Sequence, residues 1–243
     1  MQITQVPYFD DQQKLIGTFF ENPQKPTLIL FPAFEGFSDF AKDYAKTLFD
    51  KGFQVFIADM YGEQFAGKTL DDCFSKISPF LEDRALVRKR ANLAFDAVKN
   101  LPSVDKNQIG AFGFCFGGMC ALELARSGVD LKGCVTIHGI LKKSDLTTQK
   151  VNSKILICHG LMDPQVPFES LMEFAEEMQK ASNNDFRFLV FGDAKHSFSD
   201  PKTGTFDPVK EKQMGRAFNK KAAVETKKQL TLFFNELFFE KTF

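Results

Sequence analysis

The sequence of 243 residues has no tryptophan, only three histidines and no excess of either charge. Lys plus Arg and Asp plus Glu are both 31, so we expect neither nucleic acid nor an anionic membrane as a partner. No apolar run approaches the roughly 20 residues that cross a bilayer. The opening residues lack the basic region and apolar run of a signal peptide, which predicts a cytoplasmic protein.

The five cysteines are odd in number and show neither metal-ligand nor redox spacing. Cys120, Cys134 and Cys158 lie in apolar segments, where a free cysteine behaves as a small hydrophobic side chain. This pattern predicts no metal site and favours a reducing compartment. The aromatic content comes almost entirely from 30 phenylalanines, which we interpret as core filling.

Short apolar runs typical of strands alternate along the chain with amphipathic helical segments. This alternation predicts an α/β fold, a mostly parallel sheet covered by helices on both faces. The length favours one domain over residues 1–243. Two helices are expected near 82–100 and 119–126, whereas residues 63–79 and 201–213 look irregular or loop-like. The predicted strands span residues 5–9, 14–20, 27–31, 53–58, 108–114, 133–137, 154–158 and 186–191.

The segment between the strand at 108–114 and the helix that follows contains the pattern Gly113-x-Cys115-x-Gly117. This is the nucleophile-elbow pattern, with cysteine where serine is usual. A strand that turns into a helix at one residue strains the backbone there and leaves no room for side chains two positions away, which favours glycine. The helix N-terminus that follows favours a thiolate. A buried structural thiol is the simpler alternative for Cys115.

A cysteine nucleophile needs a base, and the base needs an acid that orients it. Asp163 and His196 each follow a predicted strand, and parallel strands bring such residues to one edge of a sheet. The order Cys115, Asp163, His196 is that of α/β-hydrolases. The alternatives are a turn at Asp163 and a solvated loop at His196. Other residues expected at this edge are Glu35, Asp59 and His138.

Four segments resemble the dienelactone hydrolase family of α/β-hydrolases, whose triad is Cys-Asp-His. They are FPAFEGFSDF with Glu35, GAFGFCFGGMC with Cys115, ICHGLMDPQVP with Asp163 and GDAKHSF with His196. The segment ADMYG at 58–62 is also similar. The resemblance covers most of the chain and implies a three-layer α/β/α hydrolase fold.

The resemblance also implies residue roles. Cys115 is expected to be the nucleophile, His196 the base and then the acid, and Asp163 the residue that orients His196. Glu35 is expected to contact the cysteine in the resting site. The backbone N–H groups of Phe116 and Gly36 are expected to form the oxyanion hole. No cofactor or metal is implied.

One position departs from the family pattern. Dienelactone hydrolases place an arginine four residues after the histidine, where it holds the substrate carboxylate, but this chain has Asp200 there. An aspartate repels a carboxylate. Arg84 or Arg88 is the candidate for a second family arginine, and His138 is a further candidate for substrate contact.

The predicted function is hydrolysis of a small carboxylic ester or lactone through an acyl-enzyme on Cys115, by a monomer or a homodimer. A thioesterase or promiscuous carboxylesterase is the alternative enzyme, favoured by Asp200 and by the many phenylalanines. A non-catalytic binding module with a redox-active Cys115 is the alternative outside enzymes, because a thiolate is also oxidisable.

Overall fold

A computed structural model describes residues 2–181, 183 and 185–239. It contains an eight-stranded sheet in the order β1-β2-β4-β3-β5-β6-β7-β8. The strands are β1 (Gln2–Asp10), β2 (Gln13–Glu21), β3 (Thr27–Phe31), β4 (Gln54–Ile57), β5 (Ile109–Phe114), β6 (Gly133–Ile137), β7 (Lys154–Gly160) and β8 (Phe186–Phe191). The helices are α1 (Asp39–Asp50), α2 (Leu70–Glu82), α3 (Arg84–Lys99), α4 (Phe116–Arg126), α5 (Glu169–Lys180), α6 (Pro208–Gln213) and α7 (Lys220–Phe238).

The sheet is parallel from β4 and β3 through β8, and the hairpin of β1 and β2 adds an antiparallel edge. Strands β3, β5 and β6 are buried at every position. Burial on both faces explains their continuous apolar sequences, because a parallel sheet is covered by its crossover helices. The predicted mostly parallel α/β fold is therefore confirmed.

Two hydrophobic cores lie on opposite faces of the sheet, and alternate residues of a strand enter different cores. Ile29 of β3 belongs to the core packed under α2, α3, α4 and α5. Leu28 and Leu30 belong to the core under α1 and α7. This period of two is expected for a strand between two helical layers. It gives the three-layer α/β/α arrangement.

Two helices lie in segments whose sequences look irregular. Helix α2 falls largely within 63–79 and contains Pro79. Its start is marked by a capping box, in which Thr69 and Asp72 satisfy each other's backbone N–H groups. Helix α3 begins directly afterwards, capped by Asp83. The short helix α6 lies within the loop expected at 201–213, with Asp207 as its cap.

None of the described helices combines the length and the apolar character that crossing a bilayer requires.

Candidate active site

The strand-to-helix turn at Cys115 lies at the carboxyl end of β5, near the middle of the sheet. Cys115 has φ 51° and ψ −116°, a conformation that few residues other than glycine adopt. Its side chain is only 7% exposed. Its backbone N–H donates to the carbonyl of Ile137 in β6 at 3.0 Å, which fixes the turn against the neighbouring strand. The sulfur is thus held in a rigid, largely dry position.

Both glycines of the elbow pattern are required by close backbone contacts. A Cβ atom at Gly113 would collide with the backbone of Gly117, in the first turn of α4. A Cβ atom at Gly117 would collide with the carbonyl groups of Phe31 and Pro32 at the end of β3. The pattern Gly-x-Cys-x-Gly is therefore a packing requirement of this turn, as the sequence predicts.

The structure brings Cys115, His196 and Asp163 into one hydrogen-bonded line. The Nε2 atom of His196 lies 3.0 Å from Sγ of Cys115, and its Nδ1 lies 2.8 Å from Oδ2 of Asp163. The other Asp163 oxygen, Oδ1, accepts the backbone N–H groups of Gln165 and Val166 at 2.8 and 3.2 Å. These two hydrogen bonds fix the Asp163 side chain in the loop after β7, and the fixed carboxylate in turn orients the imidazole of His196. All three side chains are buried.

The charges around His196 control its protonation. Burial alone lowers the pKa of the imidazole, but the negative charge on Cys115 and the hydrogen bond to Asp163 outweigh burial and raise the pKa from 6.5 to about 9. The protonated imidazole then directs its Nε2–H at the Cys115 sulfur and donates its Nδ1–H to the Asp163 carboxylate. The arrangement stores a nucleophile and a proton donor side by side.

We expect kcat/KM for ester substrates to fall as the pH rises through about 9, because the imidazolium that must protonate the leaving group is lost there. The same ion pair stabilises the folded state fully below pH 6.5 and loses its contribution as the pH rises through about 9. A ¹⁵N NMR titration of the imidazole measures this pKa directly.

Cys115→Ala is the matched variant for this titration, since it removes the charge that raises the pKa of His196 and keeps Asp163. The midpoint is expected to move to lower pH in Cys115→Ala. The same midpoint in both proteins would show that the sulfur carries no charge that His196 senses.

Glu35 binds an arginine that sequence reasoning missed. Its Oε1 accepts a hydrogen bond from Nη2 of Arg216 at 3.1 Å, and Nε of Arg216 donates to Glu211 at 3.1 Å. The guanidinium also lies over the ring of Phe34, 4.4 Å from its centroid. All three charged side chains are buried. Burial raises the pKa of Glu35, and the positive charge of Arg216 opposes that rise.

This pairing differs from the expectation that Glu35 contacts Cys115. No hydrogen bond joins the two in the part of the chain that the structure describes. A buried carboxylate is stabilised far better by a guanidinium than by a thiol, and Arg216 supplies one from a position 181 residues away. The only sequence signal for Arg216 is its position between His196 and the start of α7, in a segment without an apolar pattern.

Arg84 and Arg88, the candidates for substrate contact, are engaged elsewhere. Both bind Glu123 of α4, Arg84 at 3.4 Å and Arg88 at 2.8 Å. They also donate to backbone carbonyls of Lys142 and Thr147 in the loop after β6. Their guanidinium groups therefore anchor that loop to α4, and their predicted contact with substrate stays a prediction.

His138 lies behind the triad histidine. Its ring centroid is 5.4 Å from that of His196, and its Nε2 lies 2.8 Å from Oγ of Ser199. Burial holds the pKa of His138 well below its usual value, so the ring stays neutral. A neutral ring here avoids repulsion with a charged His196. The structure places His138 as support for His196, and its predicted contact with substrate stays a prediction.

The two expected oxyanion donors differ in availability. Phe116 is the first residue of α4, and within residues 2–181, 183 and 185–239 no acceptor takes its N–H. The first N–H groups of a helix have no partner inside the helix. The N–H of Gly36 is already engaged, since it donates to the carbonyl of Ala33 at 2.9 Å in a tight turn. Of these two groups, the N–H of Phe116 is the one left free among the described residues.

A recess of about 230 Å³ adjoins the Glu35–Arg216 pair. Phe37, Phe40 and Phe206 give it apolar walls, and Asp200 also lines it. Its charges balance, with acidic Glu35, Asp39, Asp200 and Glu211 facing basic Lys42, Lys68, Lys202 and Arg216.

Among the described residues, no group of three or more His, Cys, Asp or Glu side chains is placed to hold a metal ion.

Asp59, which was also expected at this edge of the sheet, instead organises its own loop. It accepts backbone N–H groups from Ile16, Tyr61, Gly62 and Gln64.

Comparison with known proteins fits this geometry. The sequence profile of the "Dienelactone hydrolase family" matches residues 17–238. The chain belongs to the dienelactone hydrolase family. It is accordingly a hydrolase with the α/β-hydrolase fold that the resemblance implied.

Among solved structures, a dienelactone hydrolase-like promiscuous phosphotriesterase from metagenomic libraries is 33% identical, with a TM-score of 0.87 and 98% coverage of both chains. An uncharacterised Caenorhabditis elegans protein is 37% identical over 125 residues, which are 50% of this chain and 78% of that protein. A probable 2-oxo-3-(5-oxofuran-2-ylidene)propanoate lactonase from Bradyrhizobium sp. is 25% identical over 195 residues, covering 76% and 77% of the two chains.

Proposed function

We propose that this dienelactone hydrolase family member hydrolyses uncharged carboxylic esters or lactones through an acyl-enzyme on Cys115. The observation that carries the proposal is the line of Cys115, His196 and Asp163, with contacts of 3.0 and 2.8 Å on a strained, dry elbow. A buried structural cysteine needs neither the strained backbone nor the oriented imidazole. A non-catalytic redox module leaves the Asp163–His196 pair without a purpose.

In acylation, the Cys115 thiolate attacks the carbonyl carbon of the ester. The C–S bond forms, and the carbonyl π electrons move to the oxygen, next to the N–H of Phe116. The oxyanion then collapses and breaks the bond to the alkoxy group. The Nε2–H of His196 gives its proton to the departing alkoxide, so a neutral alcohol leaves.

In deacylation, the neutral Nε2 of His196 removes a proton from water as the water oxygen attacks the thioester carbon. The second tetrahedral oxyanion collapses with loss of the thiolate. A carboxylic acid is released, and the imidazolium–thiolate pair is restored. Asp163 accepts the hydrogen bond from Nδ1 throughout and holds the imidazole in the Nδ1–H tautomer.

The charges near the site favour neutral substrates. Arg216 is the one guanidinium in the recess among the described residues, and two carboxylates already hold it. Asp200 stands where the family places a carboxylate-binding arginine and would repel an anion. The three phenylalanine walls suit an apolar acyl or alcohol group. A promiscuous carboxylesterase fits these features better than a hydrolase of anionic lactones.

The test combines a substrate panel with trapping of the intermediate. Para-nitrophenyl acetate and butyrate, a neutral lactone and an anionic dienelactone are compared by kcat/KM. We expect the neutral esters to be preferred over the anionic lactone. Acid quenching followed by mass spectrometry should find the acyl group on the peptide that contains Cys115. An acyl group on another residue, or none during turnover, would contradict the covalent route.

A phosphotriester is the second candidate substrate, favoured by the 33% identity with a promiscuous phosphotriesterase over 98% of both chains. A neutral phosphotriester shares with a neutral ester an electrophilic centre and a polarised oxygen. Paraoxon therefore belongs in the same panel. Turnover of paraoxon that disappears together with ester turnover in Cys115→Ala would assign both reactions to one site.

A further inference from the structure

The oxyanion site has one free backbone donor where acyl-transfer enzymes commonly use two. The N–H of Gly36 donates to the carbonyl of Ala33. The next N–H, that of Phe37, donates to the carbonyl of Phe65 at 2.7 Å. The N–H of Phe116 is left alone. Side-chain hydroxyl groups, including that of tyrosine, also serve as oxyanion donors. A side chain close to Phe116 could therefore supply the second donor.

Tyr61 lies against Phe116 in the loop that follows β4. The two rings stack at 5.5 Å with an interplanar angle of 13°. The edges of Phe65 and Phe80 confine the tyrosine ring further, each with its centroid 5.5 Å away. Its backbone is fixed as well, because its N–H donates to Asp59 Oδ1 at 3.1 Å. These contacts fix both the ring and the backbone of Tyr61.

The hydroxyl of Tyr61 has no hydrogen-bond partner in the described part of the chain, although the side chain is only 5% exposed. A buried hydroxyl without a partner destabilises a fold, so such a group calls for an explanation. Tyr61, Gly36 and Phe116 line one small cavity of about 10 Å³. That volume is about the size of one oxygen-sized probe.

We propose that the Tyr61 hydroxyl donates a hydrogen bond to the substrate oxyanion, together with the N–H of Phe116. The proposal rests on the acyl-transfer function proposed above. The incoming oxygen occupies the small cavity, gains two donors and satisfies the orphan hydroxyl at the same time. Tyr61 is then a catalytic residue that acts on the transition state, because the donor meets a full negative charge only there.

The electrostatic surroundings keep this hydroxyl protonated. Burial raises the pKa of Tyr61 well above its usual value, and the negative charge of Glu35 raises it further. A protonated phenol is a hydrogen-bond donor.

Tyr61→Phe tests the proposal, with Tyr44→Phe as the matched control. Tyr44 is 7% exposed and also has a buried hydroxyl without a partner, but it belongs to α1 and the core on the other face of the sheet. We expect Tyr61→Phe to lower kcat for para-nitrophenyl acetate by about 10²- to 10³-fold, with KM within about twofold of wild type. Affinity for a trifluoromethyl ketone, which forms a tetrahedral adduct with the thiolate, should fall by a similar factor.

Both variants should keep or raise the melting temperature, because each removes an unpaired buried hydroxyl. Lower kcat with unchanged melting temperature in Tyr61→Phe alone supports the proposal. Unchanged kcat, a change confined to KM, or an equal loss in Tyr44→Phe would overturn it. If Cys115→Ala is inactive while Tyr61→Phe is fully active, the proposed function stands and the Tyr61 role fails. If wild type hydrolyses no ester, the proposed function itself fails.

Discussion

Replacing Cys115 by alanine should lower kcat for ester hydrolysis by about 10⁶-fold, the loss seen when a nucleophile is removed from a comparable triad. The reason is that alanine leaves His196 and Asp163 with no atom to form the acyl bond, while the cleft still binds substrate. KM should therefore change little. Steady-state rates with para-nitrophenyl acetate, corrected for spontaneous hydrolysis, measure the effect.

Cys120→Ala is the control for that variant. Cys120 lies in the same helix, is fully buried and is one of the described free cysteines. Its thiol has a pKa far above the usual range because of burial, so it is no nucleophile at neutral pH. Cys120→Ala should retain the ester hydrolysis rate within a few fold. Comparable rates in wild type and Cys115→Ala would refute the covalent mechanism and revive the binding-module alternative.

Asp163→Asn should lower kcat by about 10⁴-fold and leave the fold intact. The asparagine oxygen can replace Oδ1 and keep the backbone N–H groups of Gln165 and Val166. Its amide nitrogen then faces Nδ1 of His196, which must become an acceptor. The proton moves to Nε2 of a neutral ring, and the ring can no longer take a proton from water there. The rate of acyl-enzyme hydrolysis, followed after the burst, measures this loss.

Asp193→Asn is the matched control because Asp193 is an exposed carboxylate in the loop that carries His196. Like Asp163→Asn, this substitution replaces one carboxylate by an amide. Among the described hydrogen bonds, none joins Asp193 to the imidazole of His196. We expect wild-type rates in Asp193→Asn. Similar small losses in both variants would mean that Asp163 acts only through general electrostatics. The orienting role would then be refuted.

Charge balance connects the mechanism with the substrate proposal. The site holds the Cys115–His196 contact and a buried cluster in which Arg216 binds both Glu35 and Glu211. The guanidinium of Arg216 is thus already engaged by two carboxylates, and a neutral ester can enter without breaking either contact. An anionic substrate would have to displace a carboxylate from Arg216 and would still face Asp200. Breaking a buried pair costs about 3–5 kcal/mol, which is enough to decide specificity.

Much of the fold follows from local sequence patterns. The strand at 133–137 and the strand at 186–191 lie where they were predicted, and the elbow strand differs by one residue. Helix α2 was not predicted from the sequence, because Pro79 suggests a break in a helix. The proline lies in the last turn of α2, and α3 begins directly after that turn. The signal that would have found α2 is the Thr69–Asp72 capping box.

Some residues of the candidate site can be predicted from the sequence, and others cannot. The triad residues could be picked out because strand order fixes which loops meet, and because the glycine frame of Cys115 is local. Arg216 and Tyr61 could not be picked out. Arg216 binds Glu35, which lies 181 residues away in the sequence. Tyr61 is distinguished by a buried hydroxyl without a partner and by its stacking on Phe116, and both features are visible only in the folded structure.

The sequence by itself determined the elbow, because Gly113 and Gly117 are demanded by contacts within one turn and with the adjacent strand end. It also determined the order of nucleophile, acid and base. Only the tertiary structure decided the partners: Glu35 with Arg216, Arg84 and Arg88 with Glu123, and Gly36 with Ala33. The turn geometry that requires glycine on both sides of Cys115 recurs in every strand-to-helix elbow and is recognisable from a short pattern, whereas the partner of a buried charge is chosen by packing across the whole fold.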